Sequence, residues 1–188
     1  MNETRSNTRV LVEGALMVAV AFVLAFIKLF ELPQGGTISL EMMPLLLMSF
    51  RRGAKWGVAT GFVHGFIQMI LGFSNVLYCA TLISQIGCIL LDYLIAYSVL
   101  GLACVLGGVF KNRLSQIAFG CTAACFLRFV CHFISGMWLW GSYAGEGQPV
   151  WLYSLVYNGS YMLVDTILIV AASLLLYQGA PKLFNAQR

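Results

Sequence analysis

Charge is what this chain has least of. Aspartate, glutamate, lysine and arginine together make up 10% of its 188 residues, against 60% hydrophobic residues and a mean hydropathy of +0.86. A soluble domain carries about 25% charged residues, so too little polar surface is available to cover a core in water. The six cysteines, Cys79, Cys88, Cys104, Cys121, Cys125 and Cys131, all fall within apolar stretches and form no CxxC pair. That excludes a zinc ribbon or a disulfide framework and leaves cysteine as a small buried hydrophobe. Two histidines, His64 and His132, are too few for a polyhistidine metal centre, so no metal and no cofactor is expected. Walker A, HExxH, GxSxG and twin-glutamate motifs are absent, so the chain has no means of hydrolysing ATP alone and no hydrolase signature. A signal peptide is not expected, because the first apolar run is too long for an h-region and lacks a small-residue cleavage site.

What is present is a series of apolar runs. Approximate spans are 10–30, 38–50, 54–73, 76–110, 115–140 and 150–178, and about 20 residues cross the hydrocarbon. The second, with Glu41 and Pro44, is too short to cross unaided and reads as a short or broken helix sheltered by its neighbours. The third carries Gly57, Gly61 and Gly65 four apart, which lets another helix approach closely. The fourth is longer than one crossing needs, with a break expected at Gly87. The loops Gln34–Gly36 and Gly141–Gln148 are flexible enough to serve as lids.

The net charge of +4 does not mark a nucleic-acid stripe. Arg5, Arg9, Arg51, Arg52, Lys55, Lys111, Arg113, Lys182 and Arg188, nine of the eleven basic residues, fall at the termini and in alternate loops. That asymmetry puts both termini in the cytoplasm. The pattern predicts one membrane domain, 1–188: an all-α integral membrane protein built as a six-transmembrane-helix bundle.

Several polar residues interrupt the runs: Glu13, Glu41, Asp92, Arg128, His132, Asn158 and Asp165. Each ionisable group in hydrocarbon costs roughly 2.5–3.5 kcal/mol on insertion scales, so each needs a partner or a wet cavity. Asp92 and Arg128 are expected to pair. The pair could simply lock two helices, or Asp92 could also meet a cationic ligand. Arg128, His132, Gly136 and Trp140 lie four apart along one helix face. Singly they read as packing and interfacial residues; together they read as one wall of a pocket. Trp151, Tyr153, Tyr157, Asn158 and Tyr161 open the last run. An aromatic, partly acidic cavity suits a small, flat, cationic or polar heteroaromatic molecule.

The sequence resembles the thiamine-binding S-components of energy-coupling factor (ECF) vitamin transporters. The resemblance covers nearly the whole chain. It rests on Gln34-Gly-Gly-Thr-Ile-Ser-Leu-Glu-Met-Met-Pro44, Ser49-Phe-Arg-Arg-Gly53, Leu91-Asp-Tyr93, and the block from Arg128 through His132-Phe-Ile-Ser-Gly136 to Tyr153-Ser-Leu-Val-Tyr-Asn-Gly159. It implies a six-helix bundle in the plasma membrane of a prokaryote, binding a vitamin from outside and not acting as an enzyme. It assigns ligand contact to Asp92, Tyr93, His132, Gly136, Trp140, Tyr153 and Asn158, and makes Arg128 the basic partner of Asp92. Tyr78 matches a further ligand tyrosine. Gly35 and His64 stand where some members have tryptophans near the site, which puts His64 too among the expected ligand contacts, and Asp92 replaces a glutamate. The resemblance also implies docking of Ala15 and Ala19 on a transmembrane coupling subunit that works with two ATPase subunits. Alternative readings are a thiamine precursor or another flat vitamin as ligand, a solitary proton-linked carrier using Asp92, Glu41 and Asp165, and an intramembrane enzyme using Asp92, Asp165 and His132.

Overall fold

The computed structural model describes residues 3–32 and 35–185, with side chains from Asn7 onward. Gln34 of the expected lid, Arg188 and the side chain of Arg5 therefore lie outside the described residues. Helix α1 (Glu3–Phe26) leads into a small antiparallel hairpin of β1 (Phe30–Glu31) and β2 (Thr37–Ile38), with Phe30 opposite Ile38. Then come α2 (Met42–Arg52), α3 (Ala54–Leu71), the short α4 (Phe73–Tyr78), α5 (Leu82–Gly107), α6 (Arg113–Trp138) and α7 (Val150–Gly179). Single 3-10 turns occupy Gly141–Tyr143 and Pro181–Phe184. Among the described residues four helices, α1 from Asn7, α5, α6 and α7, are long and apolar enough to cross a membrane.

The short α2 rises only about 16 Å. Its Met42 and every residue from Pro44 to Phe50 are buried, so its backbone is enclosed by protein and spared contact with lipid. Gly53 sits at φ 86° between α2 and α3, a left-handed conformation that glycine adopts without strain. Along α3 the three spaced glycines are the contact with α5. A Cβ on Gly65 would lie 2.6 Å from the Tyr93 carbonyl oxygen, one on Gly57 would lie 2.9 Å from the Gly101 Cα, and one on Gly61 would collide with the Tyr97 carbonyl. The two backbones touch along the whole face.

Helix α5 differs from its expected form in two ways. The break falls at Cys79–Thr81 and not at Gly87, because Thr81 and Ser84 cap the new helix reciprocally: each hydroxyl accepts the other's backbone N–H, at 3.1 and 3.2 Å. Gly87 instead lies under Trp138, whose ring would sit 2.6 Å from a Cβ there. Farther along, Ile89–Leu94 forms a wide π-helical turn and Val99–Leu102 tightens into a 3-10 turn. Buried Ser49 satisfies the tight turn, donating to the Gly101 carbonyl at 2.6 Å and accepting the Cys104 N–H at 3.1 Å.

The packed core occupies the basic end, built from residues such as Leu45, Leu46, Leu100, Ile117 and Ile169. There Glu13 gathers Arg52 at 2.7 Å, Arg51 at 3.0 Å and Arg9 at 3.5 Å. Arg51 also donates to the carbonyls of Lys182, Leu183 and Asn185 at 2.9–3.1 Å, which pins the turn after α7. All six cysteines are free, and all but Cys104 are buried. The opposite end of the bundle is hollow.

Candidate functional site

A cavity of about 1020 Å³ fills that hollow end, bounded by the hairpin, α3, α4, α5, α6 and α7. Asp92, Tyr93, Arg128, His132, Gly136, Trp140, Tyr153, Asn158 and Tyr78 all line it. The π-helical turn explains how Asp92 and Tyr93 share one wall. Consecutive residues of an α-helix diverge by about 100°, whereas a π-turn is locally wider and re-aims its side chains.

The expected ion pair between Asp92 and Arg128 is replaced by a relay. Arg128 Nε, which can only donate, points at His132 Nε2 at 3.4 Å. Nε2 is thereby assigned as the acceptor, so the neutral imidazole carries its proton on Nδ1 and donates it to Asp92 Oδ1 at 3.2 Å. Asp92 Oδ2 accepts the indole N–H of Trp140 at 3.1 Å. Asp92 thus receives hydrogen bonds from His132 and Trp140, with the Cys88 thiol a third partner, and among the described residues no lysine or arginine pairs with it. The i, i+4 spacing on α6 places His132 between the two charges, and that position makes the direct pair unnecessary.

The charge of Arg128 goes to Glu41 instead. Arg128 Nη2 lies 3.4 Å from Glu41 Oε1, and its guanidinium sits 4.0 Å over the Tyr97 ring. Glu41 also accepts the Tyr97 hydroxyl at 2.7 Å and Gln68 Nε2 at 2.8 Å. This cluster closes the cavity floor. His64, expected among the ligand contacts, is fully buried and does not line the cavity. Its ring packs edge-on to Tyr97 with Nε2 3.3 Å from Gln68 Nε2, so it supports the floor from behind. Gly35 does reach the cavity.

The remaining walls are aromatic. Tyr78 stacks on Trp140 with ring centroids 5.6 Å apart at 19°, and Tyr143 stacks on Tyr78 at 6.0 Å. Opposite them, Tyr153 and Tyr157 stack at 5.8 Å and Tyr161 meets Tyr157 edge-on. Two expected contacts have other commitments. The Tyr93 hydroxyl donates to the Gly72 carbonyl at 3.0 Å and accepts from Asn75 at 3.2 Å. The amide of Asn158 donates to the carbonyls of His132 and Ser154, and its Oδ1 accepts the Tyr161 hydroxyl. That leaves one lone pair of Oδ1 for anything in the cavity. Gly136 serves helix packing, since a Cβ there would collide with Ser154.

Sequence reading missed Gln68, Tyr97, Asn75 and the floor role of Glu41. Gln68 carried a usable signal, four residues after His64 on the same face. Tyr97 did not, because it stands five residues after Asp92, a spacing that meets only across a π-turn. Asp165 is turned away from the cavity, where it accepts the backbone N–H of Ser39 at 3.0 Å. It therefore does not converge with Asp92 and His132 as the enzyme reading required.

Comparison with known proteins gives one answer. Residues 11–185 match the family described as thiamine transporter protein (Thia_YuaJ). The chain is 34% identical over 199 aligned residues to the thiamine transporter ThiT of Bacillus subtilis (strain 168), with all of both chains covered. It is 31% identical to the thiamine transporter ThiT of Lacticaseibacillus paracasei, over 95% of this chain and 91% of that one. A solved structure of ThiT from Listeria monocytogenes is similar with a TM-score of 0.77 at 25% identity, covering 96% of this chain and 99% of that one.

Proposed function

The chain belongs to the thiamine transporter protein family, and on that premise we propose that it is the S-component of an ATP-driven vitamin importer, capturing thiamine from outside and delivering it through an ECF module. It is a membrane protein whose work is transport and not catalysis.

The observation that carries the reading is how the cavity divides its charges. Arg128 directs its charge to Glu41, whereas Asp92 faces the cavity hydrogen-bonded by an imidazole, an indole N–H and the Cys88 thiol, with no lysine or arginine beside it among the described residues. A carboxylate beside stacked rings suits a flat cation, and thiamine joins an aminopyrimidine to a cationic thiazolium. In this reading Asp92 meets the ligand's polar or cationic edge and Trp140 stacks on it, with Tyr78 joining or yielding. Tyr153 forms the facing wall, and Asn158 Oδ1 accepts one further hydrogen bond. His132 and Arg128 hold Asp92 in place, while Gly136 and Tyr93 set the helix spacing around it.

The same reading makes residues 1–188 one domain in a prokaryotic plasma membrane. Its six crossings are α1, α2, α3, α5, α6 and α7, with cytoplasmic termini. The support is the gathering of Arg9, Arg51, Arg52 and Arg113 at the end remote from the cavity. Ala15 and Ala19 lie exposed on α1, where small residues allow a coupling subunit to approach closely. That subunit and two ATPases supply the energy.

Titrating the purified chain with thiamine tests the ligand. Saturable quenching of tryptophan fluorescence that disappears in Trp140→Phe is expected. Absence of any saturable change in the wild-type chain would reject thiamine as the ligand.

A further inference from the structure

Asp165 is a carboxylate in the middle of an apolar helix that the binding site does not use. It is 6% exposed, and its Oδ1 accepts the Ser39 backbone N–H at 3.0 Å. Eight residues earlier on α7, the Tyr157 hydroxyl accepts the Gly36 N–H at 3.1 Å. Eight helical residues rise about 12 Å, and three extended residues from Gly36 to Ser39 cover about 10 Å. Two acceptors on α7 thus match two N–H groups along the β2 segment. The helix satisfies this strand edge as a neighbouring strand would.

Ser39 carries the constraint onward to the next helix. Its hydroxyl accepts the Glu41 N–H at 3.3 Å, an amide at a helix start that has no partner within the helix. Glu41 then presents its carboxylate to Tyr97, Gln68 and Arg128 at the cavity floor. The path from Asp165 to the floor is therefore two hydrogen bonds long.

We propose that Asp165 is a positioning residue for ligand retention: it fixes Ser39, Ser39 fixes the start of α2, and Glu41 at the floor and β2 at the cavity edge thereby keep one arrangement around the bound ligand. The proposal rests on the reading of the cavity as the thiamine site. A carboxylate is costly to keep in an apolar span, and here a backbone N–H is the group it serves.

The test uses the full purified chain with thiamine as probe. It reads the dissociation rate by tryptophan fluorescence and amide hydrogen exchange over residues 36–41 without ligand. Asp165→Val is of comparable size, branches at Cβ and has no acceptor. Thiamine is expected to leave it about tenfold faster, the loss of one charge-assisted hydrogen bond, and the 36–41 amides to exchange faster. Asp165→Asn retains an acceptor oxygen and stays within about threefold of wild type. Ser39→Ala keeps the bond to Asp165 and cuts only the link to Glu41. It is expected to speed dissociation in the same direction, and it carries the test if Asp165→Val does not fold. Wild-type dissociation in Asp165→Val and Ser39→Ala overturns the proposal, as does Asp165→Asn being as impaired as Asp165→Val. If the wild-type chain binds no thiamine, the reading of the cavity fails. The exchange of unliganded Asp165→Val still decides whether the latch exists, and unchanged protection would remove it.

Discussion

At the scale of single residues, five of the seven polar positions in the apolar runs line the cavity, Glu13 and Asp165 being the exceptions, but their pairing was not legible. Arg128, His132, Gly136 and Trp140 share a face because their spacing is helical, and that much is plain from sequence. Which carboxylate takes the arginine depends on where the start of α2 meets α6, a contact 87 positions apart in the chain. Glu41 and Arg128 form a buried pair, and removing one partner strands the other's charge. Arg128→Met is therefore expected to lower unfolding stability by about 3 kcal/mol. Adding Glu41→Gln is expected to recover a large part of that loss. Thermal denaturation of the unliganded chain in detergent checks both, and equal stability of single and double variants would show that the pair is not coupled.

At the scale of elements, the long spans were legible because unbroken apolar runs leave few other structures in lipid. Two features were not. The hairpin of β1 and β2 has only two residues per strand, too few for a period-2 pattern, and reads from sequence as a turn. A break in the fourth run was expected, but its place and the π-turn of α5 were not legible, since a π-turn leaves no compositional trace and a Thr-x-x-Ser cap is weaker than Thr-x-x-Glu. The contact of α3 with α5 was foreshadowed by the glycines at positions 57, 61 and 65. Gly61→Leu places a side chain against the Tyr97 carbonyl and is expected to cost about 3 kcal/mol. Gly179→Ala, with open space around it, is expected to leave stability within about 0.5 kcal/mol of wild type. Parallel melting curves compare them, and an undisturbed Gly61→Leu would contradict backbone contact between these helices.

At the scale of the whole molecule, a packed basic end and a hollow opposite end divide the work. The first ties α1, α2, α6 and the C-terminal turn together through Glu13, Arg51 and Arg113, while the second holds the residues proposed to bind the ligand. The outer face of α1, with Ala15 and Ala19 exposed, lies outside the cavity. Ala15→Trp is accordingly expected to abolish cellular thiamine uptake while purified protein binds thiamine normally. Preserved uptake would remove α1 as the docking face. The chain is also expected to copurify with ATPase subunits, whereas uptake without them would favour a solitary carrier. In the proposed mode of binding Asp92, and not the neutralised Arg128–Glu41 pair, recognises the ligand. Calorimetric titration of wild type and Asp92→Asn with thiamine tests it most directly. One site is expected in the wild type and an affinity lower by about tenfold to a hundredfold in Asp92→Asn; unchanged affinity in that variant would rule out recognition by Asp92.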